Sequence, residues 1–187
     1  LPLQWQMYCL LYSKWCKMQN RVALLFCVVT VLLLISFRMK NEPEIAFAIP
    51  EKWPKPVYDF RKNPLTENGF QLGRKLFYDP LLSRDSTISC ASCHLQYSGF
   101  THVDHALSHG VDGRIGTRNS PVLINLAWNK SFHWDGGVNH LEVQGINPIT
   151  HPKEMDNTLE EVIRRLSLSA DYPALFKEVF GDSTITT

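Results

Sequence analysis

Residues 90–94 read Cys-Ala-Ser-Cys-His, and no other stretch constrains the fold as much. C-x-x-C-H is the attachment sequence of a c-type haem. Two thiols separated by two residues sit one helical turn apart. Both sulfurs then face the same porphyrin edge, where they can form thioethers to its two vinyl groups. His94, the next residue, offers the iron an imidazole nitrogen. No histidine precedes His94, and all seven fall between His94 and His151, so the chemistry is expected there.

Three other readings of the same cysteines stay open at this point. A thioredoxin-like redox pair needs a strand-helix setting, which the pattern lacks. Structural zinc is suggested by Cys90-x2-Cys93-x11-His105-x3-His109, within one residue of a finger spacing. The interval contains Gly99, though, and no finger-like apolar pattern. A plain disulfide would leave His94 without a role.

An uncharged run of sixteen residues, Val22 to Phe37, follows Lys14, Lys17 and Arg21. A membrane span takes about 20 residues, so the run suits the apolar core of a secretory signal behind a basic start, with Ala46-Phe47-Ala48 as an A-x-A cleavage site. An uncleaved anchor with its basic side in the cytoplasm is the alternative. Cleavage after Ala48 would remove Cys9, Cys16 and Cys27. It would also remove five of the 19 Lys+Arg and two of the 18 Asp+Glu, turning a net charge of +1 into −2. Neither value suits a polyanion-binding protein, so nucleic acid is not an expected partner. The 44% hydrophobic content excludes bulk disorder.

The expected organisation is a signal peptide or membrane anchor over 1–48, a Pro-rich linker or wrapping arm over 49–65, and a haem domain over 66–187. Helices are predicted from Thr66 to Tyr78, ended by Pro80, and over Pro121 to Trp128. Two more are predicted, one from a capping box at Thr158–Glu161 to about Leu168, the other capped by Asp171 and ended by Gly181. Residues 96–120 read as a long ordered loop. No alternating strands and no repeat are visible. The fold class is all-α: a cytochrome c-like haem domain with long ordered loops behind an N-terminal signal or anchor helix.

Longer motifs narrow the haem reading. Leu72-Gly73-Arg74-Lys75-Leu76-Phe77-Tyr78-Asp79-Pro80-Leu81-Leu82-Ser83 and Ile88–His94 are followed by Gly99-Phe100-Thr101, Gly110-Val111-Asp112-Gly113 and Arg118-Asn119-Ser120-Pro121. Then come Phe132-His133-Trp134-Asp135-Gly136-Gly137, Gln144-Gly145-Ile146-Asn147-Pro148-Ile149 and Glu154-Met155. In this order, over about residues 66–180, the chain resembles the N-terminal, peroxide-reacting haem domain of the bacterial di-haem cytochrome c peroxidases. The methylamine-utilisation di-haem enzymes are relatives that share these motifs.

The resemblance implies an oxidoreductase that reduces hydrogen peroxide to water with electrons from a small cytochrome or copper protein. It implies a periplasmic location, with a membrane anchor or a homodimer as further options. Cys90 and Cys93 match the covalent haem anchors, and His94 the proximal ligand. Glu154 matches the distal carboxylate, Gln144 and Pro148 other distal-pocket residues, and Trp134 an aromatic between two haems. Asn119 matches a calcium ligand. The sequence holds one C-x-x-C-H, so a second haem is expected in a C-terminal domain beyond Thr187. Some members carry a loop histidine that ligates the iron at rest. Here Asp112 stands at that place, and His102, His105 and His109 do not align with it. The rival reading is an electron-transfer cytochrome closed by a second strong ligand, for which Met155 is the candidate.

Overall fold

The computed structural model describes residues 44–187, together with Ala23, Leu24 and Thr30, which are helical. The signal or anchor expected over 1–48 otherwise lies outside the described residues, apart from 44–48. Among the described residues no helix is long and apolar enough to cross a membrane. The chain divides into two compact units, Leu1–Glu42 and Pro43–Thr187, and the second contains the haem-attachment sequence.

Six helices occur among the described residues of that second unit: α1 (Glu67–Tyr78), α2 (Cys90–Cys93), α3 (Leu141–Gln144), α4 (Ile146–Thr150), α5 (Leu159–Leu168) and α6 (Tyr172–Phe180). Short 3-10 turns and four isolated antiparallel bridges complete them, and no extended strand occurs among the described residues. The architecture is therefore helical, as expected. Thr66 Oγ1 caps α1 by accepting from Gly69 N at 3.1 Å, and Thr158 Oγ1 caps α5 by accepting from Glu161 N at 3.2 Å. Gly181 closes α6 with φ 79°, a left-handed conformation that glycine adopts without steric cost.

Three local expectations differ. Residues 121–128 form only a 3-10 turn, Leu126–Trp128, because Asn125 takes φ 53° and breaks the helical run. Asp171 stands at the N-cap of α6 as expected, but its side chain makes no capping bond. Its carboxylate instead accepts from Ser169 Oγ at 2.6 Å and pairs with Lys75 Nζ at 2.7 Å. Helices α3 and α4 carry no sequence signal, since each is at most five residues long and Gly145 and Pro148 read as breakers.

The core joins Leu72 of α1, Leu82, Met155, Val162 and Leu166 of α5, Tyr172 of α6, and Ile185 of the tail. Each such apolar side chain taken out of water contributes about 1.5–3 kcal/mol. α1 packs on α6 and α2, and α5 on α6. The amphipathic helices thus form a shelf on which the 90–94 turn rests.

The Pro-rich segment lies as an arm against the 123–128 loop. Ile45 N donates to Leu65 O at 2.6 Å, Val57 N and Tyr58 N to Ala127 O at 2.9 and 3.0 Å, and Trp128 Nε1 to Pro54 O at 2.7 Å. Phe47, assigned by sequence to the leader, packs on Phe60 and Trp128 with ring centroids 4.6 and 5.5 Å away. Packing therefore reaches back past the expected boundary at residue 48. The arm and the 123–128 loop border an open pocket of about 410 Å³ lined by Phe47, Tyr58, Phe60 and Trp128 among others. None of the expected haem residues lines it.

Candidate haem site

Helix α2 is a single turn braced at its start, where Ser89 N donates to Ser92 Oγ at 3.0 Å. At its end His94 N donates to Cys90 O at 3.0 Å. Cys90 and Cys93 are free thiols one turn apart. Burial pushes both thiol pKa values up. For Cys93 the nearby Glu154 charge adds to this, while a backbone hydrogen bond at His109 opposes it. A thioredoxin-like pair needs a strand-helix setting, and no extended strand occurs among the described residues.

His94 is oriented by a loop that closes directly behind it. Leu95 N donates to Thr101 O at 3.0 Å and Phe100 N to Leu95 O at 2.9 Å. Gly99 and Phe100 take φ 70° and 58°. A phenylalanine in the left-handed region is uncommon and strained. In that conformation its carbonyl lies 2.8 Å from His94 Nδ1. Nδ1 thus carries the proton and donates to Phe100 O, leaving Nε2 with a free lone pair, the tautomer a metal-binding imidazole needs. Burial lowers the pKa of His94, opposed by the Phe100 and Pro121 carbonyls and by Glu154. Phe77 packs beside it, 6.4 Å from the imidazole and 5.9 Å from Phe100 between ring centroids.

The other expected residues fall in two groups. Glu154 lies close enough for its charge to raise the pKa of both Cys93 and His94, although sixty residues separate it from His94. Its neighbours fold back on one another. Met155 N donates to Pro148 O at 3.0 Å, Asn157 N to Ile149 O at 2.9 Å and Glu154 N to His151 O at 3.0 Å. Gln144, at the end of α3, and Pro148, in α4, are half-buried on the same folded-back segment. Met155 is a core residue, only 3% exposed.

Trp134 and Asn119 form the second group. Trp134 is 63% exposed, which rules out ordinary core packing. Its Nε1 donates to Asn119 O at 2.7 Å. The Asn119 carboxamide is engaged on both sides. Nδ2 donates to His102 O at 2.9 Å, and Oδ1 accepts from Ser120 N at 2.7 Å. His105 stacks on His109 with ring centroids 4.6 Å apart, and His102 meets His105 edge-on at 4.7 Å. The buried His102 Nδ1 has no hydrogen-bond partner. Among the described residues no three or more His, Cys, Asp or Glu side chains converge as a metal cage, so the finger-like spacing does not assemble.

Free paired thiols on one turn and an imidazole with its lone pair free are the donor set a covalent haem requires. A family model described as di-haem cytochrome c peroxidase matches residues 67–187. The chain belongs to the di-haem cytochrome c peroxidase family. Haem c is the cofactor of that family.

Among its relatives, the methylamine utilization protein MauG of Methylorubrum extorquens is 38% identical over 141 residues, 72% of this chain and 37% of that protein. The cytochrome c551 peroxidase of Pseudomonas aeruginosa is 35% identical over 136 residues, 72% and 39% of the two chains. The cytochrome c peroxidase Ccp of Escherichia coli is 37% identical over 134 residues, 70% and 28%. A crystal structure of a MauG-like protein associated with microbial copper homeostasis superposes with TM-score 0.65 at 35% identity, covering 73% of this chain and 40% of that one. The chain thus spans about two fifths or less of the length of these relatives.

Sequence reasoning missed Phe100 as the group that orients His94, because a carbonyl carries no residue signature. It also missed Arg84, Arg114 and Asp156 around Glu154. The only signal there was the Gly110–Gly113 motif, seen by resemblance without a physical reason.

Proposed function

We propose that Cys90 and Cys93 hold one haem c through thioethers, that His94 is its proximal ligand, and that the site reduces hydrogen peroxide to water. The reaction consumes two electrons and two protons per peroxide. When bound, the haem supplies the redox-active iron and passes the electrons on. Glu154 manages the protons, taking one from the nearer peroxide oxygen and delivering it to the leaving oxygen as the O–O bond breaks. Gln144 holds the incoming peroxide by hydrogen bonds, and Pro148 shapes the apolar wall beside it. His94 stays neutral and fixed by its bond to Phe100 O, which keeps Nε2 a strong donor.

Electrons would come from a reduced cytochrome or copper protein by way of a second haem domain, and Trp134 would be the aromatic on that route. The exposure of Trp134 suits that place. Calcium at Asn119 would need Oδ1 to turn from Ser120 N to the ion. The protein works in the periplasm.

The observation that carries this reading is the single turn that sets Cys90 and Cys93 beside His94, whose Nδ1 is held by Phe100 O at 2.8 Å. The rival electron-carrier reading needs a second strong ligand, and its candidate, Met155, is committed to the core. In the full-length exported protein, Glu154→Gln is expected to lower peroxide turnover by about 10² to 10⁴, with the haem spectrum kept and the haem retained in acid-acetone. Full turnover in that variant would return Glu154 to a plain surface charge.

A further inference from the structure

We propose that Gly110 and a closed ring of four charges, Arg84, Asp112, Arg114 and Asp156, are positioning residues for the Glu154 carboxylate. The inference rests on Glu154 being the proton-transfer group. That carboxylate is half-exposed, and the neighbouring His151 Nδ1, 3.8 Å away, already accepts from Lys153 N at 3.2 Å. Its own side-chain contacts therefore do little to fix it, and its position follows from its main chain.

Two loops, 110–114 and 152–156, run side by side and set that main chain. Gly110 is buried. A Cβ there would collide with Lys153 O and Glu154 O and would stand 2.6 Å from the Lys153 carbonyl carbon. All three are backbone atoms, so no rotamer change relieves the contact. Only glycine lets the loops approach this closely. Just beyond it, Val111 N donates to Glu154 O at 2.8 Å. The peptide groups on both sides of the Glu154 Cα are therefore set by residues 110 and 111.

The charges lock the same pair of loops. Asp112 Oδ2 pairs with Arg84 Nη2 at 2.5 Å and Arg114 Nη2 at 2.9 Å. Asp156 Oδ2 pairs with Arg84 Nε at 3.0 Å and Arg114 Nη1 at 2.8 Å. Signs alternate around the ring, and each group meets two of opposite sign. The arginines also hold backbone. Arg84 N donates to Met155 O at 2.9 Å, and Arg114 Nη1 to Pro152 O at 2.7 Å. Asp112 and Asp156 themselves take φ 60° and 50°, left-handed turns whose side chains are tied by the ring. Exposed pairs of this kind contribute about 0–1 kcal/mol each to stability, so the ring's effect is expected in geometry and not in global stability.

The test uses full-length holoenzyme carrying Gly110→Ala, Asp112→Asn, Glu154→Gln, and each of the first two combined with Glu154→Gln. Gly110→Ala is expected to keep its covalent haem and to lose about 10²-fold in kcat with a smaller change in KM, the scale of a misplacement of about 1 Å. Asp112→Asn should lose about tenfold, and both should move the acid limb of the kcat profile. In the Glu154→Gln background neither should cost anything further. Independently of turnover, the Val111 amide should lose hydrogen-exchange protection in both variants.

Additive losses in the double variants, or an unchanged kcat and Val111 protection beside an impaired Glu154→Gln, would overturn the positioning role. A fully active Glu154→Gln would overturn the Glu154 reading itself, and the inference with it. If Gly110→Ala fails to take up haem, Asp112→Asn, which changes charge and not shape, makes the same comparison.

Discussion

Tyr172 is 1% exposed at the head of α6 and donates its hydroxyl to Asp79 Oδ2 at 2.6 Å. Asp79 in turn accepts from Leu81 N through Oδ1 at 2.8 Å, so one carboxylate joins α6 to the turn that ends α1. Burial, and then the Asp79 bond, raise the phenol pKa well above its ordinary value near 10.0. A group whose folded pKa is raised holds its proton better in the folded state. Its contribution is complete below about pH 10 and is lost as pH climbs further. Tyr172→Phe should therefore destabilise the protein by about 1–3 kcal/mol at neutral pH and flatten the alkaline decline in melting temperature. An unchanged alkaline slope would refute this. At this scale the sequence was legible where chemistry demands local spacing. Cys90, Cys93 and His94 had to be neighbours to meet one porphyrin edge, whereas Tyr172 and Asp79 meet only after ninety-three residues of chain have folded.

Helices α1, α5 and α6 lie close to where capping and apolar periodicity put them, because those signals are local and the helices are amphipathic. Residues 121–128 did not become a helix, since a left-handed Asn125 is not written in its neighbours. What α5 does was less legible than where it lies. Its Arg165 donates to Ser83 O and Arg84 O, both at 2.7 Å, and pairs with Glu161 at 2.7 Å one turn back. The helix thereby fixes the turn that supplies Arg84 to the charged ring. Lysine cannot reproduce such a fork, so Arg165→Lys should lower stability by about 1–3 kcal/mol in chemical denaturation. It should also loosen the 83–86 amides in hydrogen exchange. Glu161 is pulled down to about 2, by Arg164 first and then Arg165. A depressed carboxylate stabilises the fold above its ordinary pKa of 4.5. That stability is lost as pH falls from there towards 2. Glu161→Gln should shallow the acid unfolding curve over that window, and an identical curve would show that Glu161 plays no part in acid stability.

Across the molecule, the arm and the helical shelf form one unit that starts at Pro43, although composition placed the folded part after residue 48 or even 65. Prolines report an extended backbone but not whether it is packed, and the packing here is aromatic and long-range. Trp53 meets Trp128 edge-on at 5.0 Å, and Tyr58 meets Phe60 at 4.9 Å. Phe47 extends the cluster, lying inside Ala46-Phe47-Ala48, the tripeptide that reads as a cleavage site. A chain beginning at Ile49 keeps Trp53, Tyr58 and Phe60 but loses two Phe47 ring contacts and the Ile45–Leu65 hydrogen bond. Aromatic pairs contribute about 0.5–1.5 kcal/mol each beyond their buried area, and the backbone bond about 1 kcal/mol. The Ile49 chain should therefore unfold about 2–4 kcal/mol more easily than one beginning at Pro43. Phe47→Leu in the longer chain should recover only part of that difference, because leucine fills volume without offering a ring edge. Chemical denaturation of the three proteins, each exported behind the same foreign signal so that haem is attached, makes the comparison. Equal midpoints for the Pro43 and Ile49 chains would show that the fold begins where composition put it and that Phe47 is a bystander.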